Sequence, residues 1–321
     1  MVFILVRNYS RVLVTGGAGF IGSHLVDRLI KDGLEVTVLD NLSFGQEKNL
    51  SFHVGGEDFR FVRGDIRDAG LVSSLVKDVD VIFHEAAIVS VPLTIEDPAL
   101  AHDVNVNGTL NILMACLNSN VKRFVHASSC AVYGNTEVSP QNEGLPPSPI
   151  SPYAATEVSA EGYCKAFHQV YGVETVSLRL FNVYGHRQKL GDYGGVLVKF
   201  IDRLSRNELP VIYGDGEQTR DFTYVEDVVE AHMLALNSKS AVGEVFNIAT
   251  GYATKINKLL NMLADVMDVT PLRPMYAESR LGDVTHSCGD IAKARRVLGW
   301  MPRFSLEEGL RKLFEWNKRL A

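Results

Sequence analysis

The sequence lacks the cysteine patterns that mark metal-binding and disulfide-stabilised proteins. Only four of its 321 residues are cysteines. Their positions, 116, 130, 164 and 288, fit neither a metal-ligand spacing nor a disulfide framework. We therefore predict reduced thiols, no metal site and a cytoplasmic location.

Excess positive charge and long apolar runs are lacking as well. The formal net charge is −6 at pH 7 and the sequence pI is about 5.9, so no basic surface is expected to bind nucleic acid. The apolar stretch at the start of the chain ends at Arg7 and is too short for a signal peptide or a membrane span. We expect neither nucleic acid nor a membrane as a partner.

The composition is that of a globular protein, 46% hydrophobic and 22% charged. No internal repeat or low-complexity tract interrupts it. The length suits one large domain or two modest ones with a full hydrophobic core.

A glycine-rich stretch follows the first predicted strand, residues 11–15. Gly16 allows a sharp turn, Gly19 lets backbone amides approach a pyrophosphate, and Gly22 lets the following helix pack closely on the strand. The free N–H groups and the positive dipole end of that helix suit phosphates. The stretch predicts a dinucleotide-binding turn, and an ordinary glycine turn is the alternative.

Acidic residues follow the second and third predicted strands. Asp40 comes after strand 35–39, where a carboxylate can accept hydrogen bonds from the adenosine ribose and would repel a 2′-phosphate. Asp65 follows strand 59–62 and is placed to reach the adenine amine. NAD is therefore favoured over NADP.

Strands and helices continue to alternate along the chain. Further strands are predicted at 80–84, 122–127, 174–180 and 244–248, with a long helix at 99–118. This order predicts an α/β fold, a doubly wound parallel sheet with ligands at the carboxyl ends of its strands. The C-terminal third has fewer sheet-like runs and more loops and short helices.

A helix is predicted to begin at Ser151-Pro152-Tyr153. Ser151 can cap it, and Pro152 suits the first helical position. Tyr153 and Glu157 are four residues apart, so they lie one above the other on one helix face.

Several motifs, in this order, resemble those of the extended short-chain dehydrogenase/reductases. They are Thr15-Gly-Gly-Ala-Gly-Phe-Ile-Gly22, Asp40-Asn41, Gly64-Asp65-Ile66, His84-Glu-Ala-Ala87, Ser128-Ser129-Cys-Ala-Val-Tyr-Gly134, Ser151-Pro-Tyr153, Arg179-Leu-Phe-Asn-Val-Tyr-Gly185 and Arg220-Asp-Phe-Thr-Tyr-Val-Glu-Asp227. The chain looks most like the UDP-galactose 4-epimerase type of UDP-sugar 4-epimerase. The resemblance implies a Rossmann-like domain with tightly held NAD and a smaller C-terminal α/β domain for the nucleotide sugar. It places the first at 1–180 with about 225–250, and the second at 181–224 and 251–321.

Catalytic roles are implied by the same resemblance. Tyr153 would be the base at the sugar 4-hydroxyl, and Ser129 would hydrogen-bond the same hydroxyl. Glu157 stands where the family has the lysine of Tyr-x-x-x-Lys. It can accept hydrogen bonds from ribose hydroxyls, but as a carboxylate it would raise the pKa of Tyr153. An active 4-epimerase, a slower or inactivated variant, and a silenced NAD and nucleotide-sugar binder therefore all remain open.

Binding residues follow from the matched motifs. For the cofactor they are Gly16, Gly19, Phe20, Ile21, Gly22, Asp40, Asn41, Asp65, Ile66, Ala86, Ala87, Asn105, Ser128, Tyr153 and Glu157. For the UDP-sugar they are Ser90, Ser129, Tyr153, Asn182, Val196, Val211, Tyr213, Arg220, Arg280 and Asp283. A structural Arg220–Asp221 ion pair and a solvated Arg280 are the alternatives for the two arginines.

The reaction and the sugar are narrowed by small residues. Family dehydratases and decarboxylases carry acids where this chain has Cys130 and Ala131, so epimerisation is favoured. Ser287, or Cys288 if the alignment slips by one, would leave room for an N-acetyl group. Arg187 could instead meet a C6 carboxylate, which keeps a UDP-glucuronate 4-epimerase as an alternative.

A homodimer is implied through the helices at 99–118 and 152–171. Four apolar residues offer surface for it, although burial in the core would explain them equally well: Ile112, Met114, Ala115 and Phe167.

Overall fold

The computed structural model describes residues 9–188, 195–269, 273–279 and 282–318. The strands are β1 Arg11–Thr15, β2 Glu35–Asp40, β3 Phe59–Arg63, β4 Val81–His84, β5 Arg123–Ser129, β6 Thr175–Leu180, β7 Val211–Tyr213, β8 Thr219–Arg220, β9 Val245–Ile248, β10 Thr254–Lys255 and β11 Met275–Ala277. The helices are α1 Phe20–Lys31, α2 Ala69–Val76, α3 Val91–Glu96, α4 Pro98–His102, α5 Gly108–Cys116, α6 Pro152–Tyr171, α7 Val196–Ser205, α8 Val225–Asn237, α9 Ile256–Met267, α10 Ala292–Leu298 and α11 Leu306–Lys318.

Seven strands form one parallel sheet in the order β3-β2-β1-β4-β5-β6-β9. The strand order reverses between β1 and β4, so a crevice opens there at the carboxyl ends of the strands. Every strand predicted for this sheet is present, and the doubly wound α/β fold is confirmed.

The strands are apolar in sequence because helices cover both faces of the sheet. Val12 and Val14 belong to one core cluster, and Leu13 between them belongs to the cluster on the opposite face. Each is completely buried. Both faces of the sheet are therefore packed up to the strand end that precedes the glycine-rich turn.

The long helix predicted at 99–118 is present but not regular. It runs through α4, a π-helical turn at Asp103–Asn107, and α5, and ends at Cys116. Asn105 lies in the π turn, and its amide bonds the backbone of Ile88, accepting at 2.7 Å and donating at 3.0 Å. Such turns widen a helix locally, often beside functional sites.

A second, smaller hydrophobic core lies under the C-terminal elements. It gathers residues of α7, α9 and α11, with Tyr184 and Tyr224 among them. Two short sheets flank it, β7 with β11 and β8 with β10. Trp300, however, packs in the first core and donates its indole N–H to Asp227 O at 2.9 Å.

Two of the four residues proposed for a dimer surface are internal. Ile112 is completely buried and Phe167 is 5% exposed, and both belong to the core between the sheet and α5 and α6. For these two residues the structure therefore favours the alternative of burial in the core over a place on the dimer surface, because their helix positions face inward. Met114 is 49% exposed. Within the described ranges, no helix combines the length and the apolarity needed to cross a bilayer.

Candidate active site

A continuous cleft follows the carboxyl edge of the sheet. We name its parts by their lining: the glycine-loop cavity (Gly16, Gly19, Asp40, Asn41, Asp65, Ile66, Ala86 and Ala87), the tyrosine cavity (Phe20, Ile21, Ala87, Ser128, Ser129, Tyr153, Glu157, Asn182, Arg220 and Asp283) and the arginine cavity (Asn182, Val196, Val211, Tyr213, Arg220 and Asp283). Ala87 borders the first two, and Arg220 borders the last two. Most of the predicted site residues therefore meet in one cleft, although they are spread over the chain.

The glycine loop is packed too tightly for side chains. Gly16 has a φ of +68°, and a Cβ on it would lie 2.7 Å from Ala86 N. Gly19 N donates to Gly16 O at 2.9 Å, which closes the turn. A Cβ on Gly22 would collide with Gly16 O. The turn thus brings the start of α1 against the cleft, as a phosphate site requires.

Asp40 lies at the end of β2 and is 7% exposed. Its carboxylate accepts hydrogen bonds from Ala18 N at 3.0 Å and Leu42 N at 2.8 Å. Burial raises the pKa of Asp40, and these two hydrogen bonds oppose that rise. Each carboxylate oxygen has a second lone pair, so the side chain can still accept from a ribose hydroxyl.

Asp65 faces the same cavity and is held as an anion. Arg67 donates to both of its oxygens, at 3.0 and 2.9 Å, and Asn41 donates at 2.9 Å. The hydrogen bonds from Arg67 lower the pKa of Asp65 to about 2. These contacts fix the carboxylate at the mouth of the cavity.

Helix α6 begins as the sequence predicts. Ser151 Oγ accepts from Ala154 N at 3.2 Å, and Pro152 occupies the first turn. Tyr153 therefore enters the tyrosine cavity from the first turn of the helix. Its hydroxyl is hydrogen-bonded to Ser129, which lowers the pKa of Tyr153, but burial first and Glu157 second raise it well above the usual value.

Glu157 lines the same cavity one turn further along α6 and is 3% exposed. Burial, and then the nearby Glu161, raise the pKa of Glu157 to about 8. The site thus has a half-buried tyrosine with a buried carboxyl group beside it.

A buried ion pair behind Glu157 was not predicted. Arg179 donates to both carboxylate oxygens of Glu161, at 2.9 and 2.8 Å, and Ser128 donates to the same group at 2.5 Å. Glu161 repeats the four-residue spacing of Tyr153 and Glu157, which is the signal that could have found it.

A second buried pair lies beneath the cleft. The backbone of Glu85 borders the tyrosine cavity, but its side chain turns inward to His232, with Oε1 2.9 Å from Nε2. Both side chains are at least 96% buried, at 4% and 0% exposure. Burial alone would lower the pKa of His232, and Glu85 outweighs it to give a raised pKa.

Arg220 pairs with Asp283 rather than with its neighbour in sequence. Arg220 Nη2 lies 2.5 Å from Asp283 Oδ1. Asp221 is completely buried and accepts hydrogen bonds from Thr250 and from the backbone of Gly251 and Gly289. The structure therefore excludes the Arg220–Asp221 ion pair, and places Arg220 between the tyrosine and arginine cavities.

The remaining predicted residues divide into three groups. Ser90 and Gly22 line an extension of the glycine-loop cavity. Asn105 does not reach the cavities described above, because its amide is used by the Ile88 backbone and by Thr156 at 3.0 Å. Arg280 lies outside the described residues.

The sequence left open whether Ser287 or Cys288 borders the space proposed for an N-acetyl group. Ser287 lines the tyrosine cavity together with Cys130 and Ala131. Cys288 is 7% exposed, and burial first and the neighbouring Asp221 second raise the pKa of its thiol to about 11. Arg187 forms an ion pair with Asp27 at 2.7 Å, a contact the sequence did not suggest.

A doubly wound sheet with a closed glycine turn at its switch point and a half-buried tyrosine in the adjoining cavity defines a dinucleotide-binding protein. Asp40 and Asp65 suit the hydroxyl groups and amine of an adenosine, and the start of α1 suits the diphosphate. The sequence profile of the NAD dependent epimerase/dehydratase family matches residues 12–249. The chain belongs to that family.

Relatives extend over almost the whole chain. The UDP-glucose 4-epimerase of Mycolicibacterium smegmatis is 40% identical over 308 residues, which is 95% of this chain and 98% of that one. The UDP-glucose 4-epimerase of Thermotoga maritima, solved with UDP-glucose, is 40% identical with a TM-score of 0.92, covering 97% of this chain and 100% of that one. The UDP-N-acetylglucosamine 4-epimerase of Methanobrevibacter ruminantium, in complex with UDP-N-acetylmuramic acid, is 39% identical with a TM-score of 0.92, covering 98% and 99%.

Proposed function

We propose that the protein is an NAD-dependent 4-epimerase of UDP-hexoses. The supporting observation is the position of Tyr153 and Ser129, which line the cavity between a glycine loop suited to a dinucleotide and an Arg220–Asp283 pair at which Arg220 suits a second diphosphate. A sugar bridging these two ends would present its ring to Tyr153. The 4-epimerases among the relatives support the same reaction.

Each proposed role follows from a side chain's chemistry. Bound NAD would supply a reversible hydride acceptor. Tyr153 takes the proton of the 4-hydroxyl and returns it, and Ser129 holds that hydroxyl by a hydrogen bond. Cys130 and Ala131 border the cavity without offering an acid, so protons at C5 and C6 stay in place. This favours epimerisation over dehydration or decarboxylation.

The proposed UDP site rests on the arginine cavity. Asn182 and Arg220 suit the diphosphate, because a guanidinium fork matches phosphate oxygens. Asp283 suits the uridine ribose, and Val211 and Tyr213 suit the faces of the uracil ring. Val196 lines the same cavity.

For the sugar itself, we propose that N-acetylated UDP-hexoses are accepted along with the unsubstituted ones. Ser287 is a small residue on the wall of the tyrosine cavity, which leaves space for an N-acetyl group. The ion pair of Arg187 with Asp27 argues against its use on a C6 carboxylate, and so against UDP-glucuronate.

A silenced binding protein is the second candidate. It is favoured by the pKa of Tyr153, which burial and Glu157 raise well above its usual value. Such a protein would bind NAD and UDP-sugars tightly and form no product.

A panel of UDP-glucose, UDP-galactose, their two N-acetyl forms and UDP-glucuronate, followed by NMR, tests these proposals. We expect the wild type to interconvert at least one C4 pair, and Tyr153→Phe to abolish turnover while NAD stays bound. Glu157→Lys should turn over faster, because a cation favours the tyrosinate. Turnover by Glu157→Lys alone would establish the silenced form, and turnover only of unsubstituted hexoses would contradict the N-acetyl proposal.

We further propose a cytoplasmic homodimer formed through α6. Its outward face carries small and apolar residues: Tyr163 is 38% exposed and Val170 is 70% exposed. Gly162, which directly precedes Tyr163 on the same helix, has no atom within 4 Å of the place its Cβ would take. A second helix can approach such a face closely.

A further inference from the structure

We propose that Glu157 carries a proton at neutral pH and stands in the place of the family lysine as a neutral hydrogen-bonding group, while Glu161, one turn further along α6, forms an ion pair with Arg179. The protonation state does not depend on the proposed function. Its kinetic consequence rests on the proposed epimerase reaction, and acts through Tyr153.

The first argument is the balance of charge on one face of α6. Tyr153, Glu157 and Glu161 follow one another at four-residue spacing, and both glutamates are more than 90% buried, at 3% and 8% exposure. Arg179 is the cation beside them, and its two hydrogen bonds of 2.9 and 2.8 Å both go to Glu161. One buried cation can balance one buried carboxylate, and a second unpaired anion is too costly to keep.

The second argument is the surroundings of the Glu157 carboxyl group. Burial and then the charge of Glu161 raise the pKa of this carboxyl group. In the part of the chain that the structure describes, no hydrogen-bond donor opposes that rise. It lines the tyrosine cavity instead. Across that cavity Arg220 is already paired with Asp283.

Among the residues that the structure describes, the neighbouring elements bring no further cation to Glu157. From β5, His126 is neutral because burial lowers its pKa to about 4. From the 3₁₀ turn at Cys130–Tyr133 and from α5 come two thiols, Cys130 and Cys116, whose pKa burial raises. Cys164, on α6 itself, is a third buried thiol with a raised pKa.

The charged residues on the other elements near α6 are either exposed or already paired with another residue. Glu96 of α3 and His102 of α4 are exposed. Asp103 of the π turn pairs with Arg67 at 3.1 Å, and Glu85 after β4 pairs with His232 at 2.9 Å. Protonation of Glu157 is therefore the least costly way to neutralise its buried carboxylate on this face of α6.

The consequence concerns the ionisation of Tyr153. A neutral Glu157 adds no negative charge beside the phenol. Once Glu157 loses its proton, at a pKa of about 8, the carboxylate raises the pKa of Tyr153. Above that point a further rise in pH no longer increases the tyrosinate fraction, because Glu157 takes the negative charge first.

Infrared difference spectroscopy on the enzyme without substrate tests the protonation directly. The wild type minus Glu157→Gln spectrum should show the C=O band of a protonated carboxyl group at about pH 7, and lose it by about pH 10. Glu161→Gln should move the loss of the band to lower pH, because Arg179 is then free to pair with Glu157. A wild type that lacks the band at about pH 7 overturns the proposal, whether or not the enzyme turns over.

The pH dependence of kcat/KM tests the link to Tyr153. The ratio of Glu157→Gln to wild type should be flat below about pH 8 and then rise by about tenfold per pH unit while Tyr153 remains protonated. A ratio that stays constant from about pH 6 to about pH 10 overturns the link. If the band appears but no UDP-sugar turns over, the proposed function fails and the protonation of Glu157 stands.

Discussion

Arg220 is the single residue on which the proposed sugar-nucleotide site depends most. It borders both the tyrosine and the arginine cavities and is held by Asp283. Replacement by alanine removes the charge and leaves Asp283 without its partner. A charge-assisted hydrogen bond contributes about 1.5–3 kcal/mol, so UDP should bind Arg220→Ala about 10- to 150-fold more weakly by calorimetry.

Two further variants separate this effect from general charge loss. Arg220→Lys keeps the charge but loses the planar fork, so its affinity should fall between wild type and Arg220→Ala. Arg206 is 61% exposed and pairs with Asp202 on α7, away from the cavities, so Arg206→Ala should bind UDP as the wild type does. Equal weakening in Arg206→Ala and Arg220→Ala would remove the basis for a diphosphate clamp.

At the scale of the element, α6 depends on its first turn. Ser151 satisfies one of the free N–H groups by accepting from Ala154 N, and this cap places Tyr153 in the cavity. Ser151→Ala should lower the free energy of unfolding by about 1 kcal/mol, measured by urea denaturation.

Ser74 offers a matched control in α2. It is exposed, and its hydroxyl bonds the Leu71 carbonyl within the helix. Ser74→Ala should change stability by less than about 0.5 kcal/mol, because alanine is a better helix former than serine. Equal losses in the two variants would mean that the cap contributes nothing of its own.

For the whole molecule, the exposed face of α6 predicts the state of assembly. Tyr163→Glu with Val170→Glu would place two carboxylates on that face, where association would have to bury them. Light scattering should give twice the 35.4 kDa chain mass for the wild type and the single chain mass for the variant.

Phe52 provides the control for that experiment, since it is 88% exposed and lies after β2 rather than on α6. Phe52→Glu should leave the mass of the wild type unchanged. A wild type that elutes as a single chain would refute the dimer.

The sequence by itself determined the architecture and the centre of the site. The seven strands of the sheet, the glycine turn after β1, the cap at Ser151 and the shared face of Tyr153 and Glu157 are local patterns, whose geometry follows from residues a few positions apart. Matched motifs identified most of the side chains that line the cleft.

Only the tertiary structure decided the pairings that set the charges in that cleft. Glu161 meets Arg179 across 18 residues, and Arg220 meets Asp283 across 63, because packing of α6 on the sheet and of the C-terminal elements on the cleft brings them together. The same packing turned Ile112 and Phe167 inward and directed Asn105 to the Ile88 backbone. Such contacts depend on which helix faces meet, and no local spacing in the chain specifies that.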